Sequence, residues 1–206
     1  MRTRVKICGL TRSEDLRAAA EAGADAIGLV FYPQSPRLLT PERARELRRA
    51  VPPFVAAVAL FVNAPRDEVQ RVLDVVRPDL LQFHGEETPE FCAQFGVPFI
   101  KACRMKPGLD LLEYLRPFSA ACGWLADAYV EDYGGAGKRF DWSVLPSRRD
   151  RPLILSGGLK RGNVRDAIRR VRPWGVDVSS GVESAKGIKD AAKIAAFIAE
   201  VRNADV

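Results

Sequence analysis

The 206-residue chain contains one histidine, His84, and four cysteines, Cys8, Cys92, Cys103 and Cys122, with no CxxC pair among them. That scarcity argues against a structural zinc site and against a disulfide framework. Long apolar runs are also missing. PPFVAAVALFV, at 52–62, falls far short of the roughly 18 residues that span a bilayer, so no membrane partner is expected. MRTRVKICGLTRSEDL carries charges with no apolar segment behind them and does not read as a secretory signal; the expected location is cytoplasmic, where thiols stay reduced. Acidic residues are in modest deficit, 26 against 32 basic, which leaves a net charge of +6. The basic residues are scattered over stretches such as PERARELRRA and VRDAIRRVR, without a stripe of interleaved aromatics. They read as solvated helix faces, and no nucleic-acid partner is expected. A mild positive balance suits the capture of a small polyanionic substrate.

What is present is a regular alternation. A composition 47% hydrophobic and 28% charged is that of a globular protein and excludes a disordered one. Short runs rich in Val, Ile, Leu and Phe recur at 5–8, 25–31, 55–62, 79–83, 97–103, 123–129, 152–157 and 175–180, each the length of a buried strand. Amphipathic stretches lie between most of them, with start signals at Thr11 or Ser13, at Thr40 with Pro41, and at Pro65. Gly23 and Gly96 close helices. No linker interrupts the series, so residues 1–206 are expected to form one domain, an α/β eightfold (β/α) barrel of the TIM type. An open doubly wound sheet is the alternative.

Successive strand side chains point to opposite faces. Val5 and Ile7 then face the helices, while Lys6 and Cys8 face the barrel interior. By the same rule Leu81 and Phe83 point out, and Gln82 and His84 point in. Asp127 lies opposite Trp124 and Ala126, and Asp177 opposite Val176 and Val178. These polar groups gather near the C-terminal strand ends, where catalytic groups of such barrels lie.

LSGGLKRGNV and DVSSGVESAKGIKD place Gly157, Gly158, Ser180 and Gly181 after the last two strands. Small residues there leave backbone N–H groups open to a phosphate, which barrels commonly hold at this position. A third glycine-rich loop, YGGAGKRFDW with Lys138, reads either as a cover for the substrate or as a plain long loop. Cys8, two residues from Lys6, reads as a thiolate with a lowered pKa or as a small buried hydrophobe. Asp127, a carboxylate in an apolar strand, suits proton donation, or pairs with Lys101 or Lys6. Arg37 either clamps a carboxylate bidentately or lies on the surface. His84 donates to a substrate oxygen or is a satisfied core histidine. No GxSxG elbow accompanies Ser156, which excludes a hydrolase triad of that kind.

Taken in order, KICGLT, GLVFYPQSPR, FVN, LQFHGEE, LADAY, GGAGKRFDW, LSGGLKRGNV and VDVSSGVESAKGIKD resemble the phosphoribosylanthranilate isomerase family over nearly the whole chain. Two departures stand out: Ala136 and Arg139 replace threonines of a GGTGKTFDW loop, and Ala128 follows Asp127 where threonine or serine is common. The resemblance implies a (β/α) barrel and an aldose–ketose isomerase of tryptophan biosynthesis, an intramolecular oxidoreductase. It further implies Cys8 as general base, Asp127 as general acid, Arg37 on the anthranilate carboxylate, and the late glycine turns on the phosphate. Gln82, His84 and Asp177 are expected to help bind the small phosphosugar–anthranilate substrate. An Amadori rearrangement of this kind calls for no cofactor and no metal, and the assembly expected is a monomer or a homodimer.

Overall fold

The structure, a computed structural model, describes residues 2–129 and 140–205. Its elements run β1 (Arg4–Cys8), α1 (Ser13–Ala22), β2 (Ala26–Val30), α2 (Pro41–Arg49), β3 (Ala56–Phe61), α3 (Arg66–Val76), β4 (Leu80–Phe83), α4 (Pro89–Ala93), β5 (Phe99–Met105), α5 (Leu111–Leu115), β6 (Gly123–Ala128), β7 (Leu153–Leu155), α6 (Arg161–Val171) and β8 (Gly175–Val178). A short antiparallel hairpin, β9 (Glu183–Ala185) and β10 (Ile188–Lys189), precedes the last helix α7 (Ala191–Ala204). Strands β1 to β8 pair in parallel in sequence order, and β8 returns to β1 with Lys6 in register with Asp177. The barrel is therefore closed, and the open-sheet alternative is excluded.

Alternation decides which residues fill which layer. Val5, Ile7, Leu81, Phe83, Trp124, Ala126, Val176 and Val178 join the large apolar layer between strands and helices. Inside the barrel Cys8 packs with Val30, Leu60 and Val62, and Ile100, Ala102 and Leu125 form a second small cluster. Burying a side chain of this size stabilises the fold by about 1.5–3 kcal/mol. Two aromatic contacts in the outer layer, Phe31–Phe61 at 5.4 Å and Phe83–Phe99 at 5.9 Å, brace neighbouring strands.

The helix starts follow local chemistry. Thr40 caps α2 by accepting from Arg43 N, with Pro41 next, and Pro65 precedes α3. Gly23 ends α1 in the left-handed region, as expected. The start of α1 differs from expectation: its cap residue is Arg12, with no side-chain cap bond. Thr11 is engaged elsewhere, its hydroxyl donating to Gly187 O in the β9–β10 hairpin at 2.7 Å. Among the described residues the β6–β7 connection carries only a 3-10 turn, Trp142–Val144. The expected loop around Lys138 lies outside the described residues, apart from Phe140–Trp142 at its end.

Candidate functional site

The C-terminal ends of the strands surround a cleft enclosing about 720 Å³ of non-protein space, part of it open to solvent, whose walls include Cys8, Arg37, His84, Asp127, Asp177 and the turns at Gly157–Gly158 and Ser180–Gly181. β1 brings Cys8 here, buried beside Gly28 of β2. A Cβ at Gly28 would lie 2.7 Å from Cys8 Sγ, so the glycine makes room for the sulfur. Lys6, one interior position earlier, donates to Asp177 Oδ1 at 3.0 Å across the β1–β8 seam, with both side chains almost fully buried. Burial alone would lower the Lys6 pKa, but Asp177 and the Cys8 sulfur outweigh it and hold the ammonium charged.

For Cys8 the sequence expectation needs correction. Its thiol is pushed up, not down, because desolvation outweighs the opposing pull of Lys6, and the charge of Asp177 adds to the rise. Adjacency to a lysine in sequence says nothing of the aspartate that this lysine meets in the closed barrel.

β4 and β6 supply the opposite wall. Asp127 Oδ2 lies 3.0 Å from His84 Nε2, and its Oδ1 accepts from the Ala128 backbone N–H at 2.9 Å. His84 Nδ1 lies 2.9 Å from Gln82 Nε2. Neither lysine proposed for Asp127 is its partner. Lys101 points to the outer layer of the barrel, where it donates to Glu87 Oε2 at 2.8 Å and Gly85 O at 2.6 Å, and Lys6 is held by Asp177. Gln82 is fully buried behind His84 and does not reach the cleft wall, whereas His84 and Asp177 do.

The glycine turns come together as the spacing suggests. Gly157 and Gly158 adopt φ of +89° and +63°, and a Cβ at Gly157 would lie 2.5 Å from the Ala128 backbone N. At Gly181 a Cβ would meet Leu159 O, so the two turns touch backbone to backbone and only glycine fits. Asn163 braces the first turn, accepting from Lys160 N and donating to Gly158 O. The turn leads directly into α6, whose N-terminal end faces an anion favourably.

Arg37 is buried and paired, not a loose surface arginine. Its Nε and Nη2 donate to the two oxygens of Glu183 at 2.7 and 2.8 Å. Glu183 also accepts from Lys189 at 2.8 Å. Burial would raise Glu183, but Arg37 and Lys189 outweigh it and hold the carboxylate below its ordinary value; burial lowers Lys189, with Glu183 opposing. Glu183 and Lys189 were missed in the sequence. Their one signal is two charges flanking a glycine, ESAKGIK, which marks a hairpin without indicating where it docks. Among the described residues no group of three His, Cys, Asp or Glu side chains is arranged to hold a metal ion.

A closed (β/α) barrel whose C-terminal strand ends gather a thiol, a carboxylate, cationic side chains and glycine turns around one cleft has the build of a barrel enzyme, whose active site lies at that end. Similarity narrows the class. Over residues 5–200 the chain matches the family model described as N-(5'phosphoribosyl)anthranilate (PRA) isomerase, and it belongs to that family. An N-(5'-phosphoribosyl)anthranilate isomerase of Dechloromonas aromatica (strain RCB) is 56% identical over 205 residues, covering 100% of this chain and 99% of the relative. The crystal structure of phosphoribosyl anthranilate isomerase from Thermotoga maritima superposes with a TM-score of 0.90 at 43% identity, over 98% of this chain and 99% of that one. Another crystal structure of such an isomerase, in complex with reduced 1-(o-carboxyphenylamino)-1-deoxyribulose 5-phosphate, has a TM-score of 0.87 at 41% identity, with the same two coverages.

Proposed function

We propose that Cys8 and Asp127 carry out, as base and acid, the rearrangement of N-(5-phosphoribosyl)anthranilate to 1-(2-carboxyphenylamino)-1-deoxyribulose 5-phosphate, a step of tryptophan biosynthesis. The observation behind this reading is that the two groups line one cleft from different strands, flanked by Arg37 on one side and the paired glycine turns on another. Asp127 gives a proton to the ribose ring oxygen as the C1–O bond breaks, leaving an open-chain iminium. Cys8 then takes the proton from C2, and the electron pair of that C–H bond moves to form the enolamine. Return of the proton to C1 and loss of the enol hydroxyl proton to Asp127 yield the ketone and restore both groups. No outside reagent enters, so the steps as written need no cofactor and no metal.

The Cys8 thiol is raised, so the base is its deprotonated fraction, the thiol proton having left to solvent before substrate is attacked, and Lys6 is the group that steadies that thiolate. The N–H groups at Gly157, Gly158, Ser180 and Gly181 hold the phosphate, Arg37 takes the anthranilate carboxylate, and the two anchors fix the reacting carbons between base and acid. His84, hydrogen-bonded to Asp127, contacts the substrate from the same wall as the acid, and Asp177 borders it beside Lys6. Gln82 acts through His84. The same reading takes residues 1–206 as one catalytic domain, working in the cytoplasm as a monomer or homodimer without nucleic-acid or membrane partners.

The test is the fluorescence decay of freshly made substrate with no cofactor or metal added. Wild type should clear it, and Cys8→Ala and Asp127→Asn should each be slower by about 10² to 10⁴. Folded wild type that leaves the substrate untouched would refute the assignment.

A further inference from the structure

The β9–β10 hairpin has no part in the proton transfers, yet it carries two nearly inaccessible charged side chains behind Arg37 and Ser179, which line the cleft. Glu183 and Lys189 have side-chain exposures of 6% and 0%. Burying two charges is costly unless both are paired and hydrogen-bonded, and here both are. Lys189 Nζ donates to Glu183 Oε1 at 2.8 Å, to Ser179 O at 3.1 Å and to Ser179 Oγ at 3.2 Å. Ser179 immediately precedes the Ser180–Gly181 turn. A continuous chain of polar contacts thus runs from Arg37 through Glu183 and Lys189 to the residue that begins that turn.

The way Glu183 holds Arg37 matters more than the fact that it does. A guanidinium offers two parallel pairs of N–H groups, one along its side (Nε with one terminal nitrogen) and one across its end (both terminal nitrogens). Glu183 takes the side pair through Nε and Nη2. Among the described residues Nη1 makes no hydrogen bond, so the end pair is left whole. The arginine stem is steered as well. Gly9, at φ +75°, lets it cross the end of β1: a Cβ there would lie 2.3 Å from Arg37 Cδ. The hairpin tip packs on the same loop, since a Cβ at Gly187 would lie 3.0 Å from Pro36 O.

We infer that Glu183 and Lys189 are positioning residues for substrate recognition, holding Arg37 at a set place relative to the Ser180–Gly181 turn so that its free end pair of N–H groups receives a carboxylate. The hairpin then measures the distance between the two anionic ends of the substrate and selects for an aromatic amine bearing an ortho carboxylate. This rests on the reading of Arg37 as the carboxylate anchor.

The experiment measures the inhibition constants of 1-(2-carboxyphenylamino)-1-deoxyribitol 5-phosphate and of the same molecule without its carboxylate. Their ratio is the carboxylate discrimination. It is compared in wild type, Glu183→Gln, Arg37→Ala and the double variant, with inorganic phosphate as a separate competitor to report on the glycine turns. Glu183→Gln turns an amide N–H₂ towards Arg37, and the discrimination should fall roughly tenfold or more while inhibition by phosphate stays the same. In the Arg37→Ala background the same change should have no further effect on the ratio. Equal weakening of both inhibitors by Glu183→Gln, or an unchanged ratio, overturns the positioning role while Arg37 keeps its own. Full discrimination in Arg37→Ala overturns the carboxylate reading together with the inference built on it.

Discussion

Two buried charge networks lie on opposite faces of the barrel wall, and they are built differently. In the outer layer Lys101 and Glu87 form a closed pair, one charge of each sign. Glu87 also accepts from the Asn63 and Gly85 N–H groups, and Lys101 donates to Gly85 O. Every strong contact there ends on the protein. Around Cys8, Lys6 pairs with Asp177 while Arg37 and Lys189 share Glu183, so these linked pairs hold three cations against two carboxylates, and Asp127 on the other wall is engaged by His84 instead. A sealed network can be neutral and complete, whereas one that must receive an anion keeps a cation and an N–H pair in reserve. The thiols follow the same division. Near Lys101, burial pushes Cys92 and Cys103 up to about 12 despite the lysine, and no catalytic group faces them. Cys8 is also raised, but it lines the cleft with Lys6 next to it.

The strongest way to break the comparison is to open the sealed network. Lys101→Met leaves Glu87 without its cation and should cost about 3–5 kcal/mol of stability, read as a lower midpoint in urea unfolding. A loss below about 1 kcal/mol would mean that Glu87 finds water or protonates easily, and that the outer network is not closed. The pH profile is a sharper probe of the cleft. A general base works deprotonated, so a raised Cys8 pKa moves the rising limb of kcat/KM towards alkaline pH. The rate should still be climbing at the ordinary thiol value of 9.0. A plateau reached below pH 8 would show instead that Lys6 dominates desolvation.

The smallest effect concerns the glycine turns at the cleft. Inorganic phosphate should stabilise the folded protein, by about 1.4 kcal/mol at ten times its dissociation constant, seen as a rise in melting temperature. The gain should persist in Lys101→Met, because the outer network takes no part in binding. Stabilisation that disappeared in that variant would tie the two networks together.

Much of the architecture was legible in local pattern. Eight apolar runs with helices between them specify the order of strands and helices, and period-two alternation placed Cys8, Asp127 and Asp177 on the interior face, because side-chain direction along a strand is set by the backbone within a few residues. The small residues at Gly157–Gly158 and Ser180–Gly181 likewise announced two turns at neighbouring strand ends. Pairing is a different matter. Lys6 meets Asp177 only because β8 closes onto β1, 171 residues away, and Arg37 meets Glu183 across 146 residues. Sequence adjacency suggested that Lys6 would lower Cys8, yet closure brought in Asp177 and a depth of burial that reversed the direction. The sequence by itself determined the order of strands and helices and the inner and outer face of each strand, both consequences of short-range geometry, while closure of the sheet and the burial of Gln82 behind His84 came from the tertiary structure. Only the tertiary structure decided which charges meet and how much water reaches them, because charge interactions act through space and their strength depends on the surrounding dielectric.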